Sequence, residues 1–190
     1  LFTSSVLCLA LLTFSHCVLC CYLLLSCVFF NRYAHHQYLT YPFGGQLQFC
    51  LRDSFYSNSC AEHTRIYPGV IELLDHLAAR QVPMAILTNK PTLFTGPILE
   101  ALKLDHYFAE VVCGDTCERK KPEPDQLHYL LDKFDTKADQ AIMIGDSIND
   151  VLAARNAHVP VIAVSYGYNY DGPIADSNPD ITVDSLAQLI

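Results

Sequence analysis

The stretch AIMIGDSINDVLAARNA, residues 141–157, decides the fold that we predict for this chain. Its apolar run ends abruptly at Gly145-Asp146, and a second carboxylate, Asp150, follows four residues later in a segment with helical character. A short apolar run that leads directly into a helix is typical of a buried strand in a parallel sheet. Carboxylates at the carboxyl end of such a strand are well placed to hold a divalent cation. The stretch therefore predicts an α/β sheet with a metal site at its edge.

From Tyr67 onward the sequence alternates between apolar strand patterns and amphipathic helix patterns. This alternation predicts a doubly wound, Rossmann-like parallel sheet of the α/β class. The predicted strands are Val82–Lys90, Ala109–Asp115, Ala141–Asp146, Val159–Gly167 and the DITV segment at 180–183. The first predicted helix begins at Pro68-Gly69. The other four are predicted at Pro91 to about Leu102, Pro122–Phe134, Ile148–Ala157 and Ser185–Ile190.

The charge balance narrows the class of partner. The chain carries 12 basic and 20 acidic residues, a formal net charge of −8, and has no block rich in lysine or arginine. A nucleic-acid partner is therefore not expected, because such partners need a basic surface. An acidic protein that binds an anionic substrate needs local positive charge, so individual lysines near a predicted site are strong candidates for binding it. The sequence does not determine the oligomeric state.

The amino-terminal part has a different composition. Residues 1–61 contain only three charged residues, and the first thirty contain none. The apolar run Val6–Phe30 is long enough to span a bilayer, and Arg32 after it favours a cytoplasmic location for the rest of the chain. The alternatives are a stretch translated in the wrong frame or from a truncated gene, and a buried globular element. A membrane contact is expected only through residues 1–30, and otherwise the protein is expected in the cytoplasm.

Several polar residues follow the predicted strands and should meet at one edge of the sheet, because ligands bind beyond the carboxyl ends of parallel strands. Thr88 and Asn89 follow one strand, Asp146 follows another, and Lys121 lies in a loop that enters a helix at the same edge. Hydroxyl, lysine and carboxylate groups together suit phosphoryl transfer, in which catalysis consists mainly of positioning and charge neutralisation. Lys90 and Asp115 are secondary candidates.

The segments ILTNKP, KKPEPD and MIGDSIND, in this order and spacing, resemble motifs II, III and IV of the haloacid dehalogenase superfamily of phosphatases. The resemblance covers about Tyr67 to Ile190. The Tyr-Gly-Tyr-Asn-Tyr segment at 166–170 is similar to the phosphoglycolate phosphatase branch, although its tyrosines are equally explained by packing.

This resemblance implies a Mg²⁺-dependent hydrolase for a small phosphorylated acid, most directly 2-phosphoglycolate. It implies that Thr88 binds the phosphoryl group and that Asn89 shapes its loop. Lys121 would neutralise charge on a phosphoaspartate and its transition state. Asp146 would ligate Mg²⁺, and Asp150 would support the metal shell or orient Lys121.

The sequence departs from the family pattern at its first motif. The family attacks phosphate with the first aspartate of an Asp-x-Asp-Gly-Thr motif, and no such motif exists here. Asp53 has no acidic partner two residues away, and a formal match that ends a strand at Asn31 lacks the carboxylate. We therefore identify no nucleophile and expect impaired turnover. If family sequence begins only near Gln48–Phe55, the sheet would also lose its central strand, although the run before Asn31 could fill it.

This interpretation divides the chain into three regions. Residues 1–47 are an atypical apolar, cysteine-rich segment, residues 48–66 are a remnant of a helical cap with its linker, and residues 67–190 are the phosphatase-like core. Two functions remain open: an impaired phosphatase, with pyrophosphatase or sugar-phosphate phosphatase as related activities, and a non-catalytic, membrane-tethered domain that retains a phosphate- or Mg²⁺-binding edge.

Overall fold

The structure, a computed structural model, describes residues 22–25, 29–31, 64–167 and 172–190. Its main feature is a sheet of six strands that are all parallel, in the order β5-β4-β1-β6-β7-β8. These strands are β1 (Tyr22–Leu25), β4 (Met84–Leu87), β5 (Glu110–Val112), β6 (Ala141–Gly145), β7 (Val161–Val164) and β8 (Ile181–Val183). Two further strands, β2 (Phe29–Asn31) and β3 (Thr64–Ile66), form a separate antiparallel pair.

Helices alternate with the strands in the described part of the chain. The α-helices are α1 (Val70–Ala79), α2 (Thr92–Ala101), α3 (Asp125–Lys133) and α4 (Ile148–Asn156). Short 3-10 helices cover Asp105–Tyr107, Ala138–Gln140, Ile174–Ser177 and Leu186–Leu189. Helices α2, α3 and α4 each connect one strand of the parallel sheet to the next along the chain, which is the connection that parallel pairing requires.

Two hydrophobic cores cover the two faces of the sheet. Alternate residues of β4 point to opposite sides: Ala85 and Leu87 join the core that contains the buried residues of α3 and α4, while Met84 and Ile86 join the core that contains those of α1 and α2. All four residues of β4 are buried. A strand that is buried on both faces reads as a continuous apolar run, which explains why these strands were recognisable in the sequence.

The structure confirms the predicted α/β class and the doubly wound parallel sheet, with every predicted strand and helix after Tyr67 present. The observed strands are shorter than the predicted segments, because residues at the ends of those segments belong to loops. The final segment, Leu186–Leu189, is a 3-10 helix rather than a longer α-helix.

Of the two possibilities left open for the centre of the sheet, loss of its strand or a strand from the apolar run, the structure shows the second. Tyr22–Leu25 lies between β4 and β6 and pairs with both in parallel register, so the middle of the sheet is filled. Asn31 is not at the end of this strand, because Phe29–Asn31 pairs with Thr64–Ile66 in the separate antiparallel pair. An apolar segment with free backbone groups on both sides satisfies its hydrogen bonds most completely in the centre of a sheet.

The predicted membrane span Val6–Phe30 lies largely outside the described residues. Its described parts, Tyr22–Leu25 and the beginning of Phe29–Asn31, are strands. Among the helices that the described residues form, none has the length and apolar character to cross a bilayer. The assignment of residues 1–47 as a distinct segment, and of 48–66 as a cap remnant, stays a prediction.

The central place of β1 can be tested at Leu24, whose Cα pairs with Ala85 on one side and Met143 on the other. We expect Leu24→Pro to lower the free energy of unfolding by about 2–4 kcal/mol, because proline removes a backbone donor inside the sheet. Leu24→Val keeps the donor and serves as the matched control. Urea unfolding measures both proteins, and equal stability of the two variants would show that this segment is not an internal strand.

Candidate functional site

The carboxyl ends of the three middle strands define the candidate site. Thr88 directly follows β4 and Asp146 directly follows β6, and these two strands lie on either side of β1. Strands two positions apart in a sheet are separated by roughly 10 Å, which brings residues at their ends within reach of one small ligand. The two residues that the sequence analysis assigned to phosphate and metal therefore lie at the same edge.

Lys121 occupies a buried position behind this edge. Its Nζ lies 2.7 Å from Oδ1 of Asp150, and the two side chains are only 5% and 1% exposed. The ammonium group also donates to the carbonyl oxygen of Leu87, the last residue of β4, at 3.1 Å. Buried charges are stable only when they are paired and hydrogen-bonded, and this lysine has both kinds of partner. The ion pair thus fixes a positive charge at the ends of β4 and β6.

The second carboxylate oxygen of Asp150 organises the turn between β6 and α4. Oδ2 accepts hydrogen bonds from the backbone N–H groups of Asp146 and Ser147 at 3.1 and 3.0 Å, and from the Ser147 hydroxyl at 2.8 Å. Ser147 and Asp150 form a capping box at the start of α4. The Asp150 carboxylate is consequently engaged on both oxygens: one binds Lys121, and the other binds the turn that carries Asp146.

Two glycines allow this turn to pack closely. A Cβ atom on Gly145 would lie 2.2 Å from Cβ of Asp150, and one on Gly167 would lie 2.1 Å from Cβ of Asp146. Both distances are far shorter than a normal carbon–carbon contact. Glycine at the end of β6 therefore lets the Asp150 side chain lie against the strand, and glycine after β7 leaves space for Asp146.

Asn89 joins the loop after β4 to the loop that carries Lys121. Its Nδ2 donates to the carbonyl oxygen of Lys121 at 2.8 Å, and its Oδ1 accepts from the N–H of Lys121 at 3.0 Å. Asn89 is therefore the side chain that holds the backbone of the lysine, in addition to any effect on its own loop. Pro91 occupies the N-cap position of α2, so neither Thr88 nor Asn89 caps that helix.

The Thr88 hydroxyl accepts a hydrogen bond from the N–H of Lys90 at 3.1 Å. Its own backbone N–H donates to the carbonyl oxygen of Val112 at 2.9 Å, so the residue is anchored to β5. Because a hydroxyl has a single hydrogen and two acceptor sites, Thr88 keeps its hydrogen available for an oxygen atom while it accepts from Lys90.

Asp115, a secondary candidate, serves the start of α2. Its carboxylate accepts from the N–H of Thr92 at 3.0 and 3.2 Å and from the Thr92 hydroxyl at 2.7 Å. These hydrogen bonds, first that from the hydroxyl and then those from the backbone, lower the pKa of Asp115. The geometry gives Asp115 a structural role at a helix start.

Tyr166 packs against Tyr67, with ring centroids 4.6 Å apart. Tyr168 and Tyr170 lie outside the described residues.

The donor set at the edge fits Mg²⁺ in one specific way. Mg²⁺ takes oxygen ligands, keeps several waters, and is often bound through one or two carboxylates together with substrate phosphate. Asp146 supplies one carboxylate at the end of β6, while the carboxylate of Asp150 is already engaged. No cluster of three or more His, Cys, Asp or Glu side chains with metal-binding geometry occurs among the described residues. A single carboxylate at this position suits an ion whose remaining ligands are water and the oxygens of a bound anion.

The sequence analysis missed Gln126. This residue of α3 is 1% exposed and its amide contacts the backbone of three loops at the site. A signal for it exists in the sequence, because Gln126 is four residues before Leu130 and directly before Leu127, on the face that α3 buries. A polar residue on the buried face of a helix requires buried hydrogen-bond partners.

A family model described as haloacid dehalogenase-like hydrolase matches residues 33–164. Among curated proteins, a phosphoglycolate phosphatase of Photobacterium profundum is 44% identical over 140 residues, which cover 74% of this chain and 61% of that protein. One of Pseudomonas savastanoi pv. phaseolicola is 44% identical over 129 residues, covering 68% of this chain and 47% of that protein.

A solved structure is also similar to this chain. The crystal structure described as a predicted phosphoglycolate phosphatase from Haemophilus somnus superposes with a TM-score of 0.71 and 39% identity, over 76% of this chain and 63% of that one. The chain therefore spans less than two thirds of the length of these relatives, and the activity of a whole relative is not transferred to it by similarity alone.

We expect Asp150→Asn to lower the free energy of unfolding by about 3–5 kcal/mol, because it leaves the buried Lys121 ammonium without a counter-charge. Glu123→Gln is the control: it removes an exposed ion pair with Arg119, whose side chains are 61% and 47% exposed, and should cost less than about 1 kcal/mol. Chemical denaturation measures both. A similar small loss in the two variants would contradict a buried, interdependent pair.

The lowered pKa of Asp115 predicts a pH dependence of stability. A carboxyl whose pKa is depressed in the folded state stabilises the fold above its unfolded pKa, about 3.9, and this contribution is lost as pH falls through the folded value. Asp115→Asn should therefore be less stable than the parent near neutral pH, with a smaller loss on acidification below about pH 4. Thermal unfolding of both proteins over that range tests this, and parallel pH curves would refute it.

Proposed function

We propose that this chain, which belongs to the haloacid dehalogenase-like hydrolase family, is a phosphomonoester hydrolase that binds a small phosphorylated acid at the carboxyl edge of its sheet. The observation that carries the proposal is the buried Lys121–Asp150 ion pair at 2.7 Å, placed where β4 and β6 end. A protein with net charge −8 gains from such a fixed cation when its ligand is an anion.

In this proposal each residue has a defined task toward a phosphoryl group. The Thr88 hydroxyl donates its hydrogen to one phosphate oxygen, and the Lys121 ammonium offsets the charge of another. Asp150 keeps the lysine oriented and at a constant distance. Because these groups are held by the fold before the ligand arrives, little reorganisation is needed when charge develops on the oxygens.

We place Mg²⁺ at Asp146, in a site completed by water and by phosphate oxygens. When bound, the ion would neutralise and orient the phosphate. Asp146 is suited to the task because its backbone N–H is fixed by Asp150 and its side chain lies against Gly167. The metal site and the lysine site are thereby built from one turn.

The proposed substrate is 2-phosphoglycolate, which would yield glycolate and phosphate. The support is the name of the curated relatives at 44% identity, together with the chemistry of a small anion site. A pyrophosphate or a sugar phosphate is the related alternative, because the groups described here recognise only the phosphoryl end of a ligand.

A cytoplasmic location belongs to the same proposal. Both cysteines in the part of the chain that the structure describes, Cys113 and Cys117, are free thiols, and burial raises the pKa of Cys117. Unpaired, unreactive thiols are typical of a reducing compartment.

We infer that turnover by this chain is impaired, because its sequence contains no Asp-x-Asp-Gly-Thr motif to supply a nucleophile. The central strand β1 is the apolar tetrapeptide Tyr-Leu-Leu-Leu and brings no carboxylate to the sheet edge. This observation also favours a second candidate function, a phosphate-binding domain without hydrolytic activity.

Hydrolysis of 2-phosphoglycolate by the purified full chain with Mg²⁺ should remain near the background rate, measured as release of inorganic phosphate. Pyrophosphate and a sugar phosphate, assayed in parallel, test the related activities. Rapid turnover of any of these would mean that a nucleophile is present and that the inferred impairment is wrong.

Binding of inorganic phosphate distinguishes a retained site from a lost one. We expect the full chain to bind phosphate in calorimetry, more tightly with Mg²⁺ than without it. Asp146→Asn should abolish the effect of Mg²⁺, because it removes the carboxylate charge that attracts the cation. Asp139→Asn, at an exposed position in the 3-10 helix Ala138–Gln140, is the control and should behave as the parent. An unchanged Mg²⁺ effect in Asp146→Asn would rule out the assigned metal site.

A further inference from the structure

We propose that Gln126 is a positioning residue that sets the place of Lys121 by tying together the backbone of three loops at the sheet edge. The proposal rests on the proposed phosphate-binding function for its ligand, while its geometric part concerns Lys121 alone. Gln126 belongs to the first turn of α3 and is 1% exposed, so its amide is removed from water.

The amide of Gln126 contacts three separate segments. Nε2 donates to the carbonyl oxygen of Thr88 at 3.2 Å and to that of Cys113 at 2.7 Å, which are the residues directly after β4 and β5. Oε1 accepts from the backbone N–H of Lys121 at 3.3 Å. A primary amide has two donor hydrogens on one atom, so both carbonyl oxygens can be satisfied at once.

Every partner of this side chain is a backbone group. The bond from Nε2 to the carbonyl oxygen of Cys113 is buried, and the bond to that of Thr88 is part-buried. Without Gln126 these acceptors would lose a partner, at a cost typical of unsatisfied polar groups. The hydrogen bonds thus keep the two strand ends and the lysine loop in one fixed arrangement.

Gln126 acts together with Asn89 on a single hydrogen. The N–H of Lys121 lies 3.0 Å from Oδ1 of Asn89 and 3.3 Å from Oε1 of Gln126, so the two amide oxygens share one donor. The lysine backbone is held by this pair while its Nζ is held by Asp150 and Leu87. A shift of the backbone would draw the ammonium away from both the carboxylate and the sheet edge.

The arrangement assigns different work to each neighbour. Asp150 fixes the position of the lysine ammonium group, whereas Gln126 and Asn89 fix the position of the lysine backbone. The Gln126 side chain contacts Thr88 and Lys121 only at their backbone atoms, and not at the hydroxyl and ammonium groups proposed to bind phosphate. Its effect on binding is therefore indirect.

The test compares Gln126→Met with Leu131→Val in the full chain. Methionine has a similar length without the amide, and Leu131 lies on the buried face of the same helix, so its truncation lowers stability without removing a hydrogen bond. Two signals are read: the chemical shifts of the Lys121 amide and Cε in NMR spectra, and the affinity for inorganic phosphate in the presence of Mg²⁺.

We expect Gln126→Met to move the Lys121 resonances and to weaken phosphate binding about tenfold, the order expected for loss of one or two hydrogen bonds. Leu131→Val should leave both signals close to the parent. Unchanged Lys121 resonances in Gln126→Met would overturn the inference. If the parent itself fails to bind phosphate, the proposed function fails, while the NMR signals still decide the role of Gln126.

A second variant, Gln126→Glu, should show a pH-dependent recovery that a purely structural role of Gln126 would not produce. This variant also replaces Gln126→Met as the test if the methionine variant does not fold. The introduced carboxyl regains one donor hydrogen when it is protonated, and burial raises the pKa of such a group. Phosphate affinity and the Lys121 shifts should approach those of the parent as pH falls toward about 5. A constant difference from the parent at every pH would contradict the inference.

Discussion

The structure of the site depends on one buried ion pair, Lys121 with Asp150. The 2.7 Å contact brings together a loop before α3 and the first turn of α4, which are far apart in sequence. Removing two charges from water is costly, and only a complete set of partners offsets that cost. Here Leu87 supplies a carbonyl oxygen to the lysine, and three donors around Ser147 bind the other carboxylate oxygen. The turn after β6 can therefore adopt only a narrow range of conformations.

This constraint explains why the surrounding residues are small or polar. Gly145 must lack a Cβ so that Asp150 can lie against the end of β6, and Gly167 makes the same allowance for Asp146. Asn89 and Gln126 then fix the backbone of the lysine from the side of β4. A hydroxyl, an ammonium group and a carboxylate are thereby brought to one edge, which is the chemistry that a phosphate dianion with a hard cation requires.

The sequence predicted the fold after Tyr67 because its signals are local. Ala141–Gly145, for example, is a short apolar run bounded by a 3-10 helix and by a helix cap, so both its length and its ends are visible. Strand β1 was not located, because Tyr22–Leu25 lies inside a long apolar run without internal boundaries. Which four residues of such a run enter the sheet is determined by pairing with β4 and β6, and that information is not local.

The positions of the candidate site residues relative to the strands and helices follow from the same local signals. Thr88, Asn89, Lys121, Asp146 and Asp150 stand at fixed distances from recognisable strands and helices. Their partners could not be read from the sequence. The role of Asp115 at the start of α2 depends on Thr92, 23 residues away, and Gln126 binds backbone atoms whose side chains give no indication of the contact. Hydrogen bonds to backbone groups of distant loops cannot be predicted from residue types, because almost every residue carries the same backbone groups.

The most direct measurement is a crystal structure of the full chain with inorganic phosphate and Mg²⁺. The account predicts one phosphate whose oxygens lie within about 3 Å of both the Thr88 hydroxyl and Lys121 Nζ, with the metal bound to Asp146. A phosphate bound elsewhere, or these three side chains directed toward different faces of the molecule, would contradict it.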